Sequence, residues 1–201
     1  MVSESSSHCD QSSYQVRFDW GVSGLRRIAP SDVVVLVDIL SWSTELVADV
    51  TAAGTADLPD ILSAAGEARV LVGALTNAAA VAATVLSVQT QRAERTSVAV
   101  IALGEPDPAG TRFAVEDLLG AGAIIDALML IGIDHSSPEA AAACEAFRSL
   151  RPALRHLITA SGSGRELSAR GGDARPAAEL NTSGVVPALE AGERFVAFTK
   201  E

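Results

Sequence analysis

Two short runs of apolar, mostly β-branched residues constrain this chain most. They are Val33-Val-Val-Leu-Val37 and Val98 to Leu103. Neither alternates polar with apolar positions, so neither suits a sheet with one wet face. A continuous run of about five such residues suits a strand covered on both faces, as in parallel sheets. Helical segments alternate with these runs. The pattern predicts an α/β fold, three layers α/β/α, with a largely parallel or mixed sheet.

Further elements follow from local signals. Tyr14 to Trp20 alternates in period two and reads as a half-buried edge strand, broken by Gly21 and Gly24. Ser43 is placed to cap a helix from Thr44 to about Ala53, with Gly54 ending it. Arg69 to Val72 reads as a third strand, and Thr76 or Asn77 as the cap of a helix from Ala78 to about Val88. The run Gly104-Glu-Pro-Asp-Pro-Ala-Gly110 reads as a loop. A long helix is expected from about Val115 to Leu130, and another begins at Ser137-Pro138-Glu139. Leu157 to Thr159 reads as a weak strand, Ser161 to Arg170 as a helix stopped by Gly171-Gly172, and Phe195 to Phe198 as a last strand. Residues 1–13 are Ser-rich and polar and read as a disordered leader, leaving 14–201 as one domain.

Composition narrows the function. The chain has 201 residues and a formal charge of -10, from 25 acidic against 15 basic residues. That balance disfavours nucleic acid and anionic membranes as partners. The most apolar stretch, Leu118 to Ile133, contains Asp126 and is shorter than the roughly 20 residues a span requires. A cytoplasmic, soluble protein is the expectation. Cys9 and Cys144 are too few for a disulfide framework, and His8, His135 and His156 lack zinc-ligand spacing. Lys200 is the single lysine, so a fixed cation in a site must be arginine, histidine or a metal.

Ligands of open parallel sheets bind beyond the carboxyl ends of the strands. There the sequence offers Asp38, then Ser43 and Thr44 at a helix start; Thr76 and Asn77 after the third strand; and Gly104, Arg112 and the pair Glu116-Asp117 after the fourth. A carboxylate can hold a hard cation such as Mg²⁺, and a helix start can meet an anion. Each residue also has a plainer reading as a cap or a dipole partner. Cys144 reads as a small core residue. Ser161-Gly-Ser-Gly164 lacks the Walker ending and reads as a turn, with Arg165 beside it able to meet an anion. Gly120-Ala-Gly122 lies inside a helix and reads as a close-packing surface.

Taken in order, these segments resemble a known family. Val35-Leu-Val-Asp38-Ile-Leu-Ser-Trp-Ser43-Thr44, Thr76-Asn77-Ala-Ala, Val100-Ile-Ala-Leu-Gly104, Phe113-Ala-Val-Glu116-Asp117-Leu-Leu-Gly-Ala-Gly122, Ser161-Gly-Ser-Gly164-Arg165 and Glu179 to Pro187 are similar to segments of the 2-phosphosulfolactate phosphatase (ComB) family. The likeness runs from about Val33 to Pro187. It implies a three-layer α/β fold and Mg²⁺-dependent hydrolysis of a phosphate ester on the route to coenzyme M. It makes Asp38, Glu116 and Asp117 the metal or acid–base candidates. Ser43, Thr44, Thr76, Asn77 and Gly104 become the candidates for gripping a small anionic substrate, beside Arg112 and Arg165, which their own positions suggest.

The chain departs from the family pattern in places. Ser41 stands where the motif has arginine, Ala102 where it has cysteine, Ala78-Ala79 where it has Gly-Thr, and Asn181 where it has aspartate. The stretch between Gly66 and Arg69 lacks the family's longer insertion. A second expectation therefore stands beside the first: a diverged, inactive member serving as a small-anion binding or protein-interaction module. A homodimer is compatible with either, with Trp42 or the edge strand at Val16 as interface candidates.

Overall fold

The computed structural model describes residues 8–50, 58–190 and 194–198. Its main sheet has six strands: β1 (Val16–Trp20), β2 (Val33–Val37), β3 (Arg69–Gly73), β4 (Val98–Ala102), β7 (Pro187–Glu190) and β8 (Arg194–Ala197). Their order is β1-β4-β2-β3-β7-β8. The first four are parallel, and β7 and β8 run antiparallel at one side. The sheet is thus mixed and mostly parallel, and β1 lies at its edge as its period-two pattern indicates.

The two valine runs form the centre because both of their faces are covered. Val33, Val35 and Val37 pack into one core, while Val34 and Leu36 pack into the other. The smaller core is closed by α1 (Gly21–Arg27), α2 (Thr44–Ala48) and α3 (Leu58–Ala65) through Leu25, Leu46 and Ile61. The larger is closed by α4 (Ala78–Arg92), α5 (Val115–Leu130) and α6 (Pro138–Leu150), with α7 (Leu154–Ala160) beside them. A last helix, α8 (Gly162–Ala169), follows. Among the described residues no helix is long and apolar enough to cross a membrane.

Helix α5 packs close because Gly120 and Gly122 lack side chains. A Cβ at Gly120 would lie 2.5 Å from Ile39, and one at Gly122 would lie 2.2 Å from the Ala143 carbonyl of α6. The Gly-Ala-Gly run therefore seats the helix against both the sheet end and its neighbour helix. Cys144 is buried in the same core, and burial pushes its thiol up to about 11, so it stays protonated.

Several local expectations change. Leu157 to Thr159 is helix rather than strand: Leu154 and Ile158, four apart on α7, both face the core, a helical spacing. The loop after Gly104 is a small hairpin of β5 (Glu105–Asp107) and β6 (Gly110–Arg112). Gly21 ends β1 but also opens α1, at φ +60°, where a Cβ would strike Thr111 of that hairpin. Helix α2 stops at Ala48, short of Ala53, where Asp49 turns extended; the stop expected at Gly54 lies outside the described residues. Trp42 is buried against Phe195 and the Val16 side chain is fully buried, while β1 itself lies at the edge of the sheet. Of the expected leader, residues 1–7 lie outside the description. Gln11 is buried and exchanges side-chain hydrogen bonds with the Phe18 backbone.

Candidate functional site

The carboxyl ends of β2, β4 and β1 open into a cleft of about 580 Å³. Its walls are α1 (Gly21, Ser23, Arg26), the turn after β2 (Asp38, Ser41), Asp60 of α3, and the β5–β6 hairpin (Gly104, Glu105, Asp107, Thr111). Asp38 reaches this wall because the chain leaves β2 through a wide helical turn over Ile39–Ser43, closed by Ser43 N–H donating to the Asp38 carbonyl at 2.7 Å.

That turn uses most of the residues around Asp38 internally. Ser43 is fully buried, and its hydroxyl accepts the Asp38 N–H at 2.8 Å. The Thr44 hydroxyl donates to the Ile39 carbonyl at 2.6 Å. Asp38 Oδ1 accepts the Ser41 N–H at 3.2 Å. Burial, joined by the charge of Glu116, raises the Asp38 carboxyl to about 6. Most of its side chain is dry, yet it lines the cleft.

Asp117 and Glu116 open α5 side by side, and each has its own surroundings. Asp117 is buried, and each of its oxygens accepts a main-chain N–H: Oδ1 from Ile39 at 2.8 Å and Oδ2 from Gly104 at 2.9 Å. Burial, then the charge of Asp38, holds its carboxyl well above the usual range. Glu116 is also buried, and Oε1 accepts the hydroxyl of Ser163, at the start of α8. Ser163 also meets Glu105, and Glu105 pairs with Arg112. The three carboxylates Asp38, Glu116 and Asp117 therefore stand close enough to act on one another electrostatically. Adjacent helix residues point about 100° apart, and here one turns to the main chain while the other turns to Ser163.

The remaining candidates are dispersed. Asn77 is fully buried; Oδ1 accepts the Ala74 N–H at 2.8 Å, and Nδ2 donates to Val72 and Val185 carbonyls. It pins the end of β3 to the C-terminal segment. Thr76 is buried beside it, its hydroxyl without a partner among the described residues. The Gly104 N–H is given to Asp117. Arg112 is half-exposed and turned towards Gly162 and Glu105. Arg165 lies on the exposed side of α8. The structure thus gathers Asp38, Glu116, Asp117, Gly104 and Arg112 at one sheet end. Of these, Asp38 and Gly104 line the cleft; Glu116, Asp117 and Arg112 do not, nor do Ser43, Thr44, Thr76, Asn77 or Arg165.

Sequence reasoning missed Ser163, Glu105 and Arg26 as members of this region. Glu105 had a signal, standing directly after Gly104 at a strand end. Ser163 meets Glu116 across 47 positions, a contact no local pattern encodes.

A hard divalent cation suits this donor set, which is all oxygen. Among the described residues no three histidine, cysteine or carboxylate side chains are arranged to hold an ion by themselves. Mg²⁺ does not require that, since it is commonly held by one or two carboxylates, waters and the substrate's phosphate.

The fold and the cleft define an α/β protein with carboxylates at the sheet's carboxyl end. The chain belongs to the 2-phosphosulpholactate phosphatase family, whose model matches residues 42–192. The match includes Glu116, Asp117, Ser163 and the hairpin, and it begins four residues after Asp38. It supports a phosphatase of the 2-phosphosulfolactate type, and phosphatases of this family are metal-dependent. No individually curated protein matches the chain.

Proposed function

We propose that the chain is a Mg²⁺-dependent phosphatase acting on the phosphate ester of a small hydroxy acid, of the 2-phosphosulfolactate kind. The observation that carries this is Asp38, a carboxylate on the cleft wall with buried Glu116 close enough to act on it as a like charge. Hard oxygen ligands at a sheet end, within this family, suit metal-assisted hydrolysis of a phosphate ester.

The cleft lining itself argues for a metal. Asp38, Asp60, Glu105 and Asp107 line it against Arg26 alone. Like unit charges about 5 Å apart repel by roughly 3 kcal/mol at an effective dielectric near 20. Arg112 offsets Glu105, but nothing comparable offsets Asp38 and Glu116. A bare phosphate dianion is repelled there until those carboxylates are neutralised. Mg²⁺, when bound, would neutralise phosphoryl oxygens and acidify the attacking water.

The chain's own residues then have distinct tasks. Asp38 and Glu116 would each offer a carboxylate oxygen to the ion. Asp117, with both oxygens committed to main-chain N–H groups, holds the ends of β2 and β4 in place. Ser163 fixes the rotamer of Glu116 by donating to Oε1. The hairpin after Gly104 walls the site on one side. The test is phosphate release from phosphosulfolactate and a panel of phosphoesters, with Mg²⁺ and with EDTA. Chelation should abolish release. Binding without any release would instead mark a diverged binding module.

A further inference from the structure

Of the described residues lining the cleft, Arg26 is the one cation. Its guanidinium pairs with Asp60 at 2.9 Å, and both side chains are more than half exposed. An exposed pair of this kind contributes at most about 1 kcal/mol and exchanges readily for another anion. Arg26 shares the cleft with Asp38. Ser41, also on its wall, brings a hydroxyl and no charge, and Arg112, paired with Glu105, does not line it.

We propose that Arg26 is the specificity-determining residue of the cleft, gripping a second anionic group, carboxylate or sulfonate, on a substrate whose phosphate lies at Asp38 and Glu116. The inference rests on the phosphatase reading. An arginine fork suits a planar or tripodal oxyanion, and Asp60 holds that fork until the ligand arrives. Substrates with one anionic group would leave Arg26 paired with Asp60 and gain nothing from it.

The experiment compares phosphoglycolate, which carries a carboxylate beside its phosphate, with ethyl phosphate, which does not. With Mg²⁺ present, kcat/KM is measured for both esters on the wild type, Arg26→Gln and Asp60→Asn. The wild type should prefer phosphoglycolate by about tenfold, the worth of one charge-assisted contact. Arg26→Gln should lose most of that preference through KM, and Asp60→Asn, which releases the guanidinium, should keep or widen it. No preference in the wild type, or an undiminished one in Arg26→Gln, overturns the proposal. Asp60→Asn behaving like Arg26→Gln also overturns it, because the pair would then be only a tie between α1 and α3. If the wild type releases phosphate neither from these esters nor from phosphosulfolactate, the phosphatase reading fails separately. Dissociation constants of the same two esters, from calorimetry, then decide on Arg26 by the same ratios.

Discussion

Asp117 Oδ2 accepts the Gly104 N–H at 2.9 Å, and this contact joins the start of α5 to the end of β4. The same carboxylate takes the Ile39 N–H just after Asp38. One buried side chain thus fixes the two strand ends between which the cleft opens. Asp117→Ala would strand both donors in a dry place. Each buried unsatisfied group costs about 1–3 kcal/mol, so a loss of several kcal/mol is expected in urea unfolding. A loss below about 1 kcal/mol would show that the two bonds do not hold the site together.

Asp38 predicts a pH-dependent stability. Its carboxyl titrates near 3.8 when unfolded and at about 6 when folded. Well below pH 3.8 it is neutral in both states. Between about pH 4 and 6 the unfolded chain ionises freely while the folded carboxyl holds its proton, so stability present at low pH is lost as pH rises and the loss levels off above 6. The metal-free protein should therefore lose stability over that window, by about 3 kcal/mol at 1.36 kcal/mol per pH unit. Asp38→Asn keeps an acceptor for the Ser41 N–H and removes the charge. It should melt above the wild type at pH 8 without metal, with the gap closing towards pH 4. A variant that melts lower at pH 8 would contradict this.

The sheet was readable because its requirement is local. Five valine-rich residues in a row have no use for a wet face, and Val33–Val37 became a central strand for that reason. Helix α5 carried its own punctuation, with acids at the first turn and glycines at the packing surface. The hairpin at Glu105–Arg112 was not readable, since its proline–glycine composition is that of any loop and pairing fixes only three positions. Leu157 to Thr159 misled because a short apolar run fits either period until its neighbours are packed. In the site, Asp38 was legible from its place after a strand. The role of Asp117 was not, because its partners are backbone groups 78 and 13 positions away. Arg26 was invisible until α1 folded back beside the β2 end.

Close packing of α5 against α6 gives a third expectation. Gly122→Ala must push a methyl into the Ala143 carbonyl. Overpacking of this kind costs about 1–3 kcal/mol or more. Gly184 has open space around it, so Gly184→Ala serves as a near-neutral comparison. Equal melting temperatures for the two variants would contradict the packing account.

Ser163 predicts a kinetic effect. Its hydroxyl touches Glu116, and its loss removes one hydrogen bond to a buried carboxylate. Ser163→Ala should lower kcat about five- to tenfold with little change in KM, matching about 1–1.5 kcal/mol. Ser163→Thr should restore most of the rate. An equal loss in both variants would point to disturbed packing of α8 instead.

The most direct test of the account is the rate of phosphate release from 2-phosphosulfolactate across a Mg²⁺ titration, for wild type and Asp38→Asn. The account predicts saturation with Mg²⁺ in the wild type and abolition by EDTA. It also predicts a fall of at least about 100-fold in Asp38→Asn at any metal concentration, on the scale of losing a metal ligand or charge-stabilising group. Release that persists in EDTA and in Asp38→Asn would contradict it.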